Sequence, residues 1–175
     1  MQLSTLDTVV LTGEGFEEIE FWYPVLRLRE VGSSVTVLSV DGAEVVSGRR
    51  GYPVIPGAAI GDYEGSPVLV VVPGFVEPER PAIGAAAARL TEWAQGGAVI
   101  AAIGNGIGIL ARAGLLRGRD VSVTAELVPT VEQAGAVVAE AGAVCSGPIA
   151  SARSVEHVTD LFRLLVSSEL AEERA

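Results

Sequence analysis

Few residues in this chain could do chemistry. It has one cysteine, Cys145, and one histidine, His157. A single cysteine allows no intramolecular disulfide and no cysteine-rich metal site, and a single histidine allows no multi-histidine one. Three short segments each follow an apolar run: Gly13-Glu-Gly-Phe-Glu-Glu-Ile-Glu20, Pro73-Gly-Phe75 and Ile103-Gly-Asn-Gly-Ile107. In an open sheet of parallel strands, ligands bind beyond the carboxyl ends of the strands, so these turns are the places to look. The third has the outline of a nucleophile elbow, a buried strand turning sharply into a helix. Its elbow residue is Gly104, which has no side chain. The same spacing fits a plain glycine-rich connection, and both readings stand. Thiolate chemistry at position 104 is excluded in either case, because it needs a sulfur. Cys145 ends the apolar stretch Gly142-Ala-Val-Cys145 and is expected as a small buried hydrophobe. His157 is expected as a surface or capping residue near the start of the last helix.

The elements that must position these turns alternate between strand and helix. Residues 8–12, 34–40, 67–73, 98–103 and 121–125 read as strands. The run 67–73 has no polar face, which implies cover on both sides and a parallel sheet. Helical spacing occupies 17–31, 81–95 and 155–170, with shorter helices over 107–113 and 128–135. Pro24 falls inside the first helix and predicts a kink or a missing hydrogen bond there. Residues 41–56 contain Gly48, Gly51 and Pro53 and suggest a hairpin. Residues 143–151 hold one or two short strands, and 171–175 read as a frayed tail. This alternation predicts one doubly wound α/β domain over 1–175, a flavodoxin-like sandwich with a mostly parallel central sheet and helices on both faces.

Composition narrows the function. A hydrophobic content of 49% with 19% charged residues excludes disorder. A net charge of −10 argues against a nucleic-acid partner, and 5% aromatics leave little to stack on bases. No apolar run approaches the ~20 residues of a membrane span. No basic residue precedes the first strand, so a secretory signal is not expected and a cytoplasmic location is. No G-x-G-x-x-G follows the first strand and no P-loop lysine is present, so no cofactor is implied.

Several short motifs, in order, resemble the DJ-1/ThiJ/PfpI superfamily, and its PfpI-like branch in particular. They are Gly15-Phe-Glu-Glu-Ile-Glu20, Tyr23-Pro24, Leu26-Arg27-Leu28, Val31-Gly32, Gly51-Tyr52, Val72-Pro73-Gly74 and Pro78-Glu-Arg80. Ala102-Ile103-Gly104-Asn105-Gly106, Ala113-Gly-Leu-Leu-Arg-Gly118 and Gln133-Ala-Gly135 continue the series, so the resemblance spans roughly residues 7–167. It implies a cysteine at the elbow, where this chain has Gly104, and then a histidine, where it has Asn105. Phe75 replaces the second glycine of the oxyanion turn, and Thr124 stands where relatives often place His or Tyr near the pocket. Ala152-Arg153-Ser154-Val155 replaces an Arg-x-Pro-Gly stretch. Glu20 matches the carboxyl that hydrogen-bonds the cysteine.

What the resemblance implies is therefore a cysteine-independent pocket for a small carbonyl or amide metabolite. Glu20 would be the catalytic acid/base in isomerase, hydratase or lyase chemistry, enclosed by Phe16 and Phe75. Gly74, Phe75, Gly104, Asn105 and Thr124 would bind the ligand, with Gly74, Phe75 and Asn105 offering backbone N–H donors. The other reading is a non-catalytic pseudoenzyme, a ligand-binding, regulatory or stress-related oligomer. Peptidase, glyoxalase and deglycase action through a cysteine is excluded in both. A homo-oligomer, most simply a dimer burying Trp22 and Tyr52, is also implied.

Overall fold

The computed structural model describes residues 6–76 and 80–172. The Pro78-Glu79 part of the family-like motif, residues 1–5 and residues 173–175 of the expected tail lie outside the described residues. The chain opens with β1 (Asp7–Thr12), α1 (Glu18–Glu30) and β2 (Ser34–Ser39). The excursion is a hairpin, β3 (Val46–Ser47) antiparallel to β4 (Pro53–Val54), followed by β5 (Ala58–Ala59). Then come β6 (Leu69–Val72), α2 (Arg80–Gln95), β7 (Val99–Ile103) and α3 (Ile107–Arg112). The last third holds β8 (Asp120–Val121), α4 (Val128–Gln133), β9 (Val137–Val138), β10 (Ala143–Ser146), β11 (Ile149–Ala152) and α5 (Val158–Glu172).

The main sheet has seven strands in the order β10-β11-β7-β6-β1-β2-β5. Every neighbouring pair is parallel except β10 with β11. Successive side chains of a strand point to opposite faces. Val9, Val10 and Leu11 are all fully buried, as are Leu69 through Val72 and Ile100 through Ile103. Both faces of the centre are therefore covered, which is why these strands read as unbroken apolar runs.

The expected strand at 121–125 is corrected. Only Asp120 and Val121 form a strand, paired with β9 in a separate two-stranded sheet, and Ala125–Leu127 is a 3₁₀ turn. The place beside β7 belongs to β11, whose Ile149 pairs with Ile100. Segment 121–125 is tied to β11 instead, the Ser122 N–H donating to Ser151 Oγ at 2.8 Å.

Register decides where the turns meet. Val10 pairs with Val71, and Val72 with Ala102. The turns after β1, β6 and β7 therefore leave the sheet at one edge, side by side. Among the described residues no helix is long and apolar enough to cross a membrane, and no group of His, Cys, Asp and Glu could hold a metal ion.

Candidate active site

Glu20 reaches the site through the start of α1. Glu17 caps that helix, its Oε2 accepting from the N–H groups of Ile19 at 2.9 Å and Glu20 at 2.8 Å, where a carboxylate is favoured by the helix dipole. Glu18 does not share this role and is buried. Its Oε1 accepts the Arg50 N–H and its Oε2 lies 3.6 Å from Arg50 Nη1, tying α1 to the hairpin. Pro24 sits in the middle of α1 and has no N–H to give to the Glu20 carbonyl.

Gly104 turns the chain after β7 with φ +55°, a left-handed conformation that glycine adopts without β-carbon strain. A Cβ at Gly104 would stand 2.7 Å from Glu20 Oε1 and 2.9 Å from Oε2. The Glu20 carboxyl thus occupies the volume that an elbow side chain would need. Its Oε2 accepts the Gly74 N–H at 2.8 Å. Asn105 Nδ2 donates to the Phe75 carbonyl at 3.1 Å, bracing this turn on the one after β6.

Burial is the main influence on Glu20, and it raises the carboxyl above the ordinary glutamate value. The Gly74 N–H pulls the other way, the Glu17 charge raises it further, and Arg49 and the Val155 N–H lower it. Its surroundings are thus more polar than the aromatic walls expected from sequence, although its side chain is almost wholly withdrawn from solvent.

A cavity of about 380 Å³ opens beside this group. Of the residues named from sequence, Glu20, Gly104, Asn105 and Thr124 line it; Gly74 and Phe75 do not. The Gly74 N–H is already committed to Glu20. The Phe75 ring lies in the core, where a Cβ on Gly13 would come within 3.0 Å of it. Arg49, Glu126, Leu127, Arg153 and Ser154 also line the cavity, with Glu17. Sequence reading missed Arg49 as a site residue and noted Arg153 only as a departure from the family pattern. The one available signal for Arg49 was its place in Gly48-Arg-Arg-Gly51, before the family-like Gly51-Tyr52.

His157 is not part of the lining. It ends a 3₁₀ turn before α5, with Nδ1 3.3 Å from Ser154 Oγ and its ring over Gly142. Cys145 corrects the expectation of burial: it is exposed on β10, an edge strand, although partial enclosure still raises its thiol. Cys145→Ala is expected to leave ligand binding and any turnover at the cavity unchanged. Loss of either, measured beside the wild type, would show that the site has been misplaced.

Comparison with known proteins agrees with this architecture. The model of the DJ-1/PfpI family matches residues 7–168. A deglycase from Thermococcus kodakarensis is 31% identical over 159 residues, covering 90% of this chain and 93% of that one. A deglycase from Pyrococcus horikoshii is 29% identical over 150 residues, covering 85% and 90%. The crystal structure of a mutant of a Salmonella typhimurium DJ-1 superfamily protein superposes with a TM-score of 0.82 at 24% identity, over 95% of this chain and 91% of that one. The parallel sheet, the turns gathered at one edge and the matched length lead to one conclusion: this chain belongs to the DJ-1/PfpI family.

Proposed function

We propose that this protein is a cysteine-independent member of its family, in which Glu20 acts as general acid and base on a small carbonyl or amide metabolite. The observation that carries this reading is the position of the carboxyl. It fills the volume a Cβ at Gly104 would claim and borders a cavity large enough for a small ligand. A carboxyl withdrawn from water costs free energy unless it is bonded or used, and its raised pKa suits proton transfer nearer neutral pH. Relatives are named deglycases, but the elbow residue here has no thiol and Cys145 lies elsewhere. Isomerase, hydratase or lyase chemistry needs no covalent nucleophile. The test is proton exchange: the protein should speed deuterium incorporation next to the carbonyl of enolisable small molecules in D₂O, followed by NMR. No exchange or turnover with any small carbonyl or amide would sink the enzymatic reading.

A second reading, a ligand-binding or regulatory protein without catalysis, is favoured by the Gly74 N–H. That donor would have stabilised an oxyanion, and it is bonded to Glu20 instead.

The protein is also proposed to form a homodimer through its hairpin. Tyr52 is 61% and Ile55 79% exposed there, beside exposed Val45. Trp22 offers less than expected, being half-buried and edge-on to Phe21 at 4.9 Å. Sedimentation at micromolar concentration should show a dimer that Tyr52→Glu dissociates; a monomeric wild type would refute this.

A further inference from the structure

Two cations line the cavity that acid–base chemistry at Glu20 does not use. Arg49 comes from the hairpin, and its Nε donates to the Gly15 carbonyl at 3.3 Å. Arg153 comes from just after β11. Its Nη2 donates to the carbonyls of Glu140 at 2.7 Å and Ala141 at 3.4 Å, while its Nε is buried without a partner. Neither forms an ion pair among the described residues, a state they share with Arg29, Arg117 and Arg119, but these two line one cavity. Acidic residues outnumber basic ones 22 to 12 in this chain, so two guanidinium groups outside any ion pair, lining one cavity, call for a reason.

The carboxyls of the same lining form no ion pair with them, although Arg49 is near enough to lower the Glu20 pKa. Glu17 is engaged in capping α1 and lies 3.4 Å from Arg50 Nη1. Glu20 is bonded to Gly74. Glu126 is exposed to solvent. A guanidinium held by carbonyl oxygens keeps its full charge and its spare donors, and its planar fork suits a carboxylate.

We propose that the cavity takes a small ligand bearing a carboxylate, with Arg49 and Arg153 holding the charge and an adjoining carbonyl lying against Glu20. The place given to the carbonyl rests on the acid–base reading; the preference for a carboxylate does not.

Calorimetric titration of the full chain with pyruvate and with pyruvamide separates charge from shape. Pyruvate should bind at least about tenfold more tightly, as expected when a charge-assisted hydrogen bond replaces a neutral one. Arg153→Gln and Arg49→Gln should each weaken pyruvate by about tenfold or more and leave pyruvamide unchanged. If Arg153→Gln fails to fold for want of its anchors, exposed Arg49 carries the test alone. Equal binding of the two compounds, no saturable pyruvate binding, or pyruvate affinity that ignores both arginines would overturn the proposal. Arginine-dependent pyruvate binding without proton exchange would uphold it and sink the acid–base reading instead.

Discussion

Replacing Glu20 with Gln should lower turnover by roughly 10²–10⁴-fold, the usual loss when a general acid–base group is removed, while the fold survives. Gln keeps the length and planarity of the side chain, and its carbonyl oxygen can still accept the Gly74 N–H. What it loses is the titrating proton. The same substitution should change how stability depends on pH. Glu20 has a raised pKa in the folded state, so the folded protein binds this proton more tightly than the unfolded chain does. The stabilisation is complete below the unfolded glutamate value, declines as pH rises toward the folded value, and is gone above it. Burial, opposed by the Gly74 N–H, does most to set where that window closes, with Glu17 raising the value further and Arg49 lowering it. Melting temperatures taken between about pH 4 and pH 8 should therefore show the wild type losing ground to Glu20→Gln as pH rises. Undiminished turnover in the variant, with a flat difference in melting temperature, would make Glu20 a structural relic.

The parallel core was legible because burial on both faces leaves strands with no polar alternation, as in residues 67–73. The segment 121–125 alternates instead, Val121 and Val123 with Ser122 and Thr124, which is the local pattern of a half-buried strand. Its exclusion from the main sheet depends on β11 competing for the edge of β7, and pairing between distant segments is not written in either segment. The site divides along the same line. Gly104 and Asn105 sit at the turn after β7 and Glu20 at the start of α1, places that a parallel sheet gathers at one edge, and the family-like motifs marked them. Phe75 misled because its position beside Gly74 suggested the pocket, whereas the narrow space over Gly13 takes its ring into the core. Arg49 and Arg153 were hidden because a hairpin and the end of β11 bring them to one cavity, and only the Gly48-Arg-Arg-Gly51 setting of Arg49 hinted at it.

Two glycines of the elbow should respond differently to a methyl group, and the difference separates site from scaffold. At Gly106 a Cβ would stand 2.3 Å from the Val72 carbonyl oxygen and 2.7 Å from that of Pro73. Val72 is fully buried and pairs with Ala102, so this backbone is held on the β7 side and cannot retreat cheaply. At Gly104 the obstacle is the Glu20 carboxyl, the far end of a side chain that can turn away, together with the positive φ. Gly106→Ala should cost at least the 1–3 kcal/mol or so typical of overpacking. Gly104→Ala should cost about 1–2 kcal/mol from its left-handed backbone. Urea unfolding with linear extrapolation would rank them, and each kcal/mol should lower the melting temperature by about 2–4 °C in a domain of this size. Only Gly104→Ala should also erase the pH-dependent stability assigned to Glu20, because it expels the carboxyl from its enclosed position. If Gly104→Ala proves the costlier, or keeps that pH dependence, the carboxyl does not occupy the elbow volume in solution and the acid–base reading loses its foundation.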